Sequence, residues 1–183
     1  MTDEKYRLVT RTDFDGIVSG SLLVEHGLIS EIAFAHPREI QHSTFDITGA
    51  DILANLPYAA PAHLCFDHHV SESYRVGKHD NLILDVDSPS TARVIYNHYG
   101  GAASFPDISL DMMNAVDKAD SADFTIEEIL TPTGWILLNF VLDPRTGLEY
   151  FKDFAVSRDA FMIDMIAFCR RNPVEEILSH PDV

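Results

Sequence analysis

The sequence predicts an α/β protein in which a parallel β-sheet is flanked by helices and followed by a helical carboxy-terminal extension. The first two-thirds of the chain alternates short apolar runs with segments of helical spacing, which is typical of a parallel sheet covered on both faces. After about residue 105 only the 3- and 4-residue apolar spacing of helices remains. We therefore expect an α/β domain over residues 1–125 and a helical extension, packed on it, over residues 126–183.

The predicted elements follow from the apolar spacing and the residues that interrupt it. Short apolar runs bounded by Pro, Gly or polar residues predict buried strands at 6–10, 31–36, 51–56 and 62–66. Apolar residues at helical spacing, followed by a glycine, predict a helix over 17–27. A segment that opens with Pro and Ser/Thr and closes with glycines predicts another helix over 89–101. Further helices are expected at 107–120, 134–142, 157–171 and 173–180.

The composition restricts the classes of partner. The chain has 183 residues, of which 13 are Lys or Arg and 29 are Asp or Glu, so the formal net charge is -16. A protein that binds long nucleic acids needs a basic face to displace counterions, and none is expected here. The acidity is that of a soluble protein, or of carboxylates gathered around a cation. The two cysteines, Cys65 and Cys169, lie in apolar stretches and imply no disulfide framework.

The amino-terminal residues predict the compartment. The sequence starts MTDEKYRLVT, without a charged and then apolar leader, and no apolar run reaches membrane-spanning length. We therefore expect a cytoplasmic protein that has no membrane partner.

Acidic residues follow the first predicted strand in the stretch TRTDFDG. Asp13 and Asp15 are spaced by one residue, so they can approach one cation from adjacent positions, and Gly16 allows a sharp turn into the next helix. Acidic residues in a turn before a helix also serve as helix caps, so capping is the alternative interpretation.

A second polar cluster, in CFDHHVSES, follows the strand predicted at 62–66. Asp67, His68 and His69 should emerge at the same edge of the sheet as Asp13 and Asp15, because the carboxyl ends of parallel strands lie together. Carboxylate oxygens with an imidazole nitrogen suit Mn²⁺ or Mg²⁺. A histidine left beside such a centre can contact or protonate a bound phosphate. The alternative is a pair of surface histidines at the end of a strand.

The DxDG motif at 13–16 and the DHH motif at 67–69 resemble those of the DHH phosphoesterase superfamily. This superfamily includes RecJ-like exonucleases, oligoribonuclease/phosphatases, cyclic dinucleotide phosphodiesterases and family II inorganic pyrophosphatases, and the chain is most similar to the exopolyphosphatase-related branch. SPSTARVIYNHYGG is similar to the helix that follows DHH in these proteins, and AVDKADSADF to their fourth motif. The resemblance covers roughly residues 6–125.

The resemblance implies roles for single residues. Asp13, Asp15 and His68 would be metal ligands, with Asp67 as a ligand or as a residue that orients one. In the fourth motif Asp120 fits the ligand position better than Asp117, which remains the alternative. Substrate contacts would come from His69 and from Ser90 and Thr91 at the start of a helix, where capping is at least as good an explanation.

Two positions depart from the family pattern. Arg11 stands where the family commonly has a histidine, and Asn55 where it normally has an aspartate that bridges two metals. An arginine stays protonated and cannot bind a metal, although its fork can hold a phosphate. We therefore expect one firm metal site, to which the Asn55 oxygen is a weak ligand. We expect the second site to be weak or absent and partly replaced by Arg11.

The function implied by the resemblance is metal-dependent hydrolysis of a phosphoester or phosphoanhydride bond. The substrate would be a short oligonucleotide, a nucleotide or polyphosphate, the cofactor Mn²⁺ or Mg²⁺, and the catalytic side chains His69 and Arg11. The alternative is a degenerate family member that binds a metal or a phosphorylated ligand without turnover. In this family a second domain usually selects the substrate, and we expect it to be missing because the residues after the fourth motif are too few for it. Its role would be taken by the helices, by a partner, by a second copy in a homo-oligomer or by further residues of a longer natural chain.

DPRTGL at 143–148 is interpreted as a polar turn or, less favoured, a substrate contact.

Overall fold

A computed structural model describes residues 4–143, 145, 157–181 and 183 of the chain. Within these residues five strands form one sheet: Tyr6–Thr10 (β1), Ile29–Phe34 (β2), Asp51–Ala54 (β3), Leu64–Asp67 (β4) and Leu82–Leu84 (β5). The strand order is β2-β1-β3-β4-β5, and every neighbouring pair is parallel. The predicted α/β class, with helices in the carboxy-terminal part, is confirmed.

The helices begin mostly at small polar residues whose side chains accept a hydrogen bond from the first turn. Such caps are Asp13, Ser90, Ser109, Thr125 and Ser157. Over the described residues the helices are Phe14–Glu25 (α1), Pro37–Gln41 (α2), Val70–Arg75 (α3), Thr91–His98 (α4), Leu110–Asp120 (α5), Ile126–Leu130 (α6), Gly134–Leu142 (α7), Arg158–Arg171 (α8) and Val174–Leu178 (α9). No helix in this part of the chain is long and apolar enough to cross a membrane.

Several boundaries differ from those expected from the sequence. The first helix begins at Phe14 rather than at residue 17, because the Asp13 carboxylate accepts the Gly16 N–H and so caps it. The second strand runs from 29 to 34, two residues earlier than predicted, and the third ends at Ala54 instead of 56. Five short elements were not predicted: α2, α3, α6, β5 and a 3₁₀ helix at Gly101–Ala103. Each has at most six residues, too few to show a clear apolar period.

The two faces of the sheet carry separate apolar clusters. Side chains alternate along a strand, so Leu8 and Phe66 enter a large core shared with the helices, whereas Val9 and Cys65 enter a smaller one on the opposite face. The large core continues from β1 through α5 and α7 to α9. The carboxy-terminal helices are therefore packed on the same apolar interior as the sheet.

Helix α8 packs closely against α1. The Ser21 hydroxyl donates a hydrogen bond of 3.1 Å to the Ile166 carbonyl. A Cβ atom at Gly20 would lie only 2.7 Å from the end of the Ile166 side chain, so a larger residue there would force that side chain to shift. This packing holds the amino end of α8 near the loop that follows β1, where Arg158 donates to Thr12 across 2.6 Å.

The strand order determines at which edge of the sheet a ligand-binding crevice forms. The chain leaves β1 for β2 on one side and later returns to β3 on the other side, so the loops at the carboxyl ends of β1 and β3 diverge. A crevice forms at such a switch point, and ligands of open parallel sheets bind there. The residues after β1, β3 and β4 that were selected from the sequence all lie at this edge.

Candidate metal centre

The turn from β1 into α1 places two carboxylates at different depths. Asp13 precedes α1 as its cap, whereas Asp15 lies in the first helical turn and is only 3% exposed. Gly16 lets the turn close, because a Cβ atom there would lie 2.2 Å from the Arg11 carbonyl oxygen. The short turn thus directs Asp15 into the protein and leaves Asp13 at the crevice.

Asp15 accepts two hydrogen bonds from the beginning of α4. The N–H of Thr91 donates to one oxygen over 3.0 Å, and the N–H of Ala92 donates to the other over 2.8 Å. The positive end of a helix favours an ionised carboxylate. Burial and, next, the charge of Asp120 nevertheless raise the pKa of Asp15 to about 7. A cation placed between the two carboxylates would restore the ionised form.

His68 has one ring nitrogen held by the backbone and the other directed at Asp120. Its Nδ1 lies 3.1 Å from the Ser88 carbonyl oxygen, so Nδ1–H donates there and Nε2 faces the centre, where the neutral ring would present a lone pair. Nε2 lies 2.6 Å from an Asp120 carboxylate oxygen. Burial by itself would lower the pKa of His68, but the contact with Asp120 and the charge of Asp15 outweigh it and raise the pKa to about 9.

These three side chains form a group that fits a divalent cation. One donor atom from each of Asp15, His68 and Asp120 lies within 4.8 Å of the other two. The Nε2 atom of His68 is buried and, despite its short distance to Asp120, has no partner of good hydrogen-bond geometry among the described residues. Two carboxylate oxygens and one imidazole nitrogen suit Mn²⁺ or Mg²⁺. The donor set and the unsatisfied nitrogen therefore both agree with a metal ligand group.

Asp13 lies beside this group but is already engaged on both oxygens. Arg11 Nε lies 2.9 Å from one oxygen, and the Asn55 amide donates to the other over 2.9 Å. Burial raises the pKa of Asp13, and the Arg11 charge acts against this rise. The Asn55 side-chain oxygen is buried and has no hydrogen-bond partner in the described part of the chain. Arg11 thus supplies a fixed positive charge at this carboxylate.

Asp67 contacts the histidines that follow it. Its Oδ1 accepts a bond of 2.9 Å from the His68 N–H and lies 2.7 Å from the His69 Nδ1. Asp67 is 1% exposed, whereas the His69 side chain is 43% exposed. The hydrogen bond that His69 donates to Asp67 is the main cause of a raised pKa at His69. Asp67 thus holds the His69 ring and the His68 backbone, and its role as a metal ligand or as a residue that orients one stays a prediction.

Asp117 is turned toward α4 instead of the metal group. It accepts a bond of 2.7 Å from the Ser90 hydroxyl and a bond of 2.8 Å from Arg93 Nε. Ser90 caps α4 and is fully buried. Thr91 is also fully buried, with a hydroxyl that has no hydrogen-bond partner among the described residues. Of these residues, Thr91 contacts the metal group, because its backbone N–H donates a hydrogen bond to Asp15.

A cleft of ≈ 770 Å³ opens from the metal group. Asp15 and Asp120 line it together with three arginines, Arg11, Arg145 and Arg158. Its wall also contains residues that the sequence analysis did not select, among them Phe34, Phe124, Asn139 and Phe140. The sequence predicts only a helix over residues 134–142, and nothing in its spacing shows that one end of α7 faces a cleft. Of the predicted turn at 143–148, only Asp143 and Arg145 lie within the described residues.

The fold and the site define a parallel α/β protein with a candidate divalent-metal centre at the carboxyl edge of its sheet. Among solved structures, the chain is similar to the pGpG-specific phosphodiesterase PggH from Vibrio cholerae, with 48% sequence identity and a TM-score of 0.88. The alignment covers 98% of this chain and 57% of that one, so the chain spans little more than half the length of its neighbour. No protein-family model and no curated protein matches the chain.

Proposed function

We propose that the chain is the metal-binding part of a phosphohydrolase that cleaves a phosphoester bond in a small nucleotide. The observation that carries the proposal is the group of Asp15, His68 and Asp120 at the head of an arginine-lined cleft. The 48% identity to a phosphodiesterase supports the same reaction class. The DxDG and DHH motifs, which resemble the DHH phosphoesterase superfamily, supply two of these three residues.

The proposed substrate is a linear dinucleotide of the pGpG kind. The similar protein is named for pGpG. A volume of ≈ 770 Å³ falls in the range of sites that enclose small ligands, which is about 300–1,000 Å³. With a net charge of -16, the chain would repel a long polyanion outside the cleft, whereas the arginines lining the cleft can accept a few phosphates.

Each side chain of the site would have a separate role in the reaction. Asp15, His68 and Asp120 would hold a divalent ion, which would supply Lewis-acid polarisation of a phosphoryl oxygen and a water of lowered pKa. Arg11 uses one of its five N–H donors on Asp13 and can direct others at the phosphate. His69, protonated more readily because Asp67 holds its Nδ1, can donate a hydrogen bond from Nε2 to a phosphoryl oxygen. Asp67 keeps this ring in place.

A second candidate is binding of a metal and a phosphorylated ligand without turnover. It is favoured by Asp13, whose two oxygens are occupied by Arg11 and Asn55, so that this carboxylate offers little to a second metal. A site with a single cation has fewer charges with which to stabilise the reacting phosphate.

The test measures pGpG hydrolysis by the metal-stripped protein before and after Mn²⁺ is added. We expect cleavage only with Mn²⁺ and its loss in Asp15→Asn, whereas the matched change at an exposed aspartate outside the cleft, Asp80→Asn, should have no effect. Binding of Mn²⁺ and pGpG without cleavage would establish the second candidate in place of the first. A protein that binds no Mn²⁺ in calorimetry would overturn both.

A further inference from the structure

Two aromatic rings in the wall of the cleft lie outside the apolar clusters formed by the described residues. Phe124 and Phe140 line the cleft and are both half-buried. Neither belongs to the two apolar clusters that the described residues form, nor to the side chains packed against those clusters, whereas Phe34 on the same cleft does. Packing of the core therefore does not account for these two rings.

The two rings contact each other and form one surface. Their centroids are 5.3 Å apart, with an angle of 36° between the planes. A flat ligand between them would need about 7 Å, twice a carbon–carbon contact distance, so it cannot enter the gap. It can lie only on the side of the pair that faces the cleft. We call Phe124 and Phe140 the aromatic pair.

The aromatic pair is held close to the metal group and to positive charge. Phe124 follows Asp120 by four residues in the chain, and Phe140 is in α7, which packs on α5. Arg158 also lines the cleft, where it donates to Thr12, next to the cap residue Asp13. The cleft thus offers metal ligands, guanidinium groups and an aromatic surface. Polyphosphate would use the first two only, whereas a nucleotide would use all three.

We propose that the aromatic pair is a nucleobase-binding subsite, on which one base of the substrate stacks while its phosphate lies at the metal group. Asn139 precedes Phe140 and lines the same cleft. Its amide, with one acceptor and two donors, can pair with the edge of a purine. This inference rests on the proposed function and deepens it, because it selects nucleotides over polyphosphate as the substrate class.

The experiment compares two probes in the wild type and in Phe140→Leu, a variant that retains apolar volume but has no π face. The probes are pGpG and its abasic analogue, in which both guanines are replaced by hydrogen. Loss of one stacked base costs about 1–3 kcal/mol, which is roughly a 5-fold to 150-fold change. We expect the ratio of kcat/KM for the two probes to fall by this factor in Phe140→Leu and to be kept in Phe140→Trp. The exposed-aromatic control Tyr74→Ala should keep the wild-type ratio.

A binding measurement without turnover separates this inference from the proposed function. A dinucleotide that carries the fluorescent base 2-aminopurine is added to the metal-stripped protein, and stacking should quench its emission in the wild type but not in Phe140→Leu. Quenching without any hydrolysis after Mn²⁺ is added would overturn the function and leave the subsite standing. Hydrolysis of pGpG and its abasic analogue at equal rates, with no quenching, would overturn the subsite alone.

Discussion

Asp117 and Asp120 lie one helical turn apart in α5, and exchanging each for asparagine should produce opposite defects. Both are partly buried to a similar degree, with side chains 18% and 27% exposed. Asp117 is bound to Ser90 and Arg93, whereas Asp120 faces His68 and Asp15. We expect Asp117→Asn to lower stability and retain the metal, and Asp120→Asn to retain stability and lose the metal.

The magnitudes follow from these contacts. Asp117→Asn removes the charge that Arg93 contacts through two nitrogens, which should cost about 2 kcal/mol, or about 4–8 °C in Tm for a chain of this size. Asp120→Asn loses the contact with His68 but relieves the repulsion that raises the pKa of Asp15, so the metal-free protein should change little. Replacing a residue that only orients a ligand already weakens metal binding about 10–100-fold, so removal of a ligand should exceed ~100-fold.

Thermal unfolding with and without Mn²⁺ measures the stability of each variant, and calorimetric titration measures its affinity for Mn²⁺. Mn²⁺ at about 100 times its Kd should stabilise the wild type by ~2.7 kcal/mol, roughly 5–10 °C, and a 100-fold weaker site by only ~0.4 kcal/mol. Asp117→Asn should therefore start from a lower Tm and gain as much as the wild type. If Asp117→Asn abolishes the Mn²⁺ shift and Asp120→Asn keeps it, the assignment of the ligand within α5 is wrong.

Three further substitutions test the opposite edge of the sheet, at Asp51, and the surroundings of the centre, at Gly16 and Asn55. Burial acts to raise the pKa of Asp51, but hydrogen bonds from Arg7 and a threonine outweigh it and lower the pKa. Asp51→Asn should cost about 2 kcal/mol in urea unfolding near pH 7. Because an unfolded Asp titrates near about 3.9, this difference should be constant above about pH 5 and shrink as the pH falls through the folded pKa. A Cβ atom at Gly16 would meet a carbonyl oxygen at 2.2 Å, so Gly16→Ala should lower the Tm and the Mn²⁺ affinity together. Gly49→Ala, whose nearest contact is 3.9 Å away, should change neither in the same melts and titrations. Asn55→Asp places a second carboxylate beside the one that caps α1, so it should lower the Tm in EDTA and add a second Mn²⁺ site in calorimetry; an unchanged stoichiometry would contradict this.

Much of the architecture could be predicted because its signals are local. The alternation of apolar runs with helical spacing predicted four of the five described strands and the longer helices. The elements that were not predicted are short. β5 has three residues at the edge of the sheet and is only half-buried, so its apolar period is too brief to distinguish it from a loop. Its position is set by pairing with β4, which is a tertiary contact.

The candidate site was predictable to the extent that parallel strands bring their ends together. Asp13, Asp15, Asp67 and His68 were selected as residues that follow strands, and the structure places all four at one edge. Their separate roles could not be inferred in the same way. Whether Asp67 binds a metal or orients a histidine depends on the direction of one carboxylate, which the chain order leaves open.

By itself, then, the sequence determined the fold class, the edge at which chemistry occurs and the set of donor types, since each depends on spacing along the chain. Only the tertiary structure decided which carboxylate of α5 joins Asp15, because these residues are distant in sequence and meet through the packing of α5 against α1 and α4. The structure also places Phe124 and Phe140 in the wall of the cleft, outside the large core. Apolar spacing shows that a helix has a face to bury, but the neighbouring elements determine which of its residues remain exposed at the rim of the cleft.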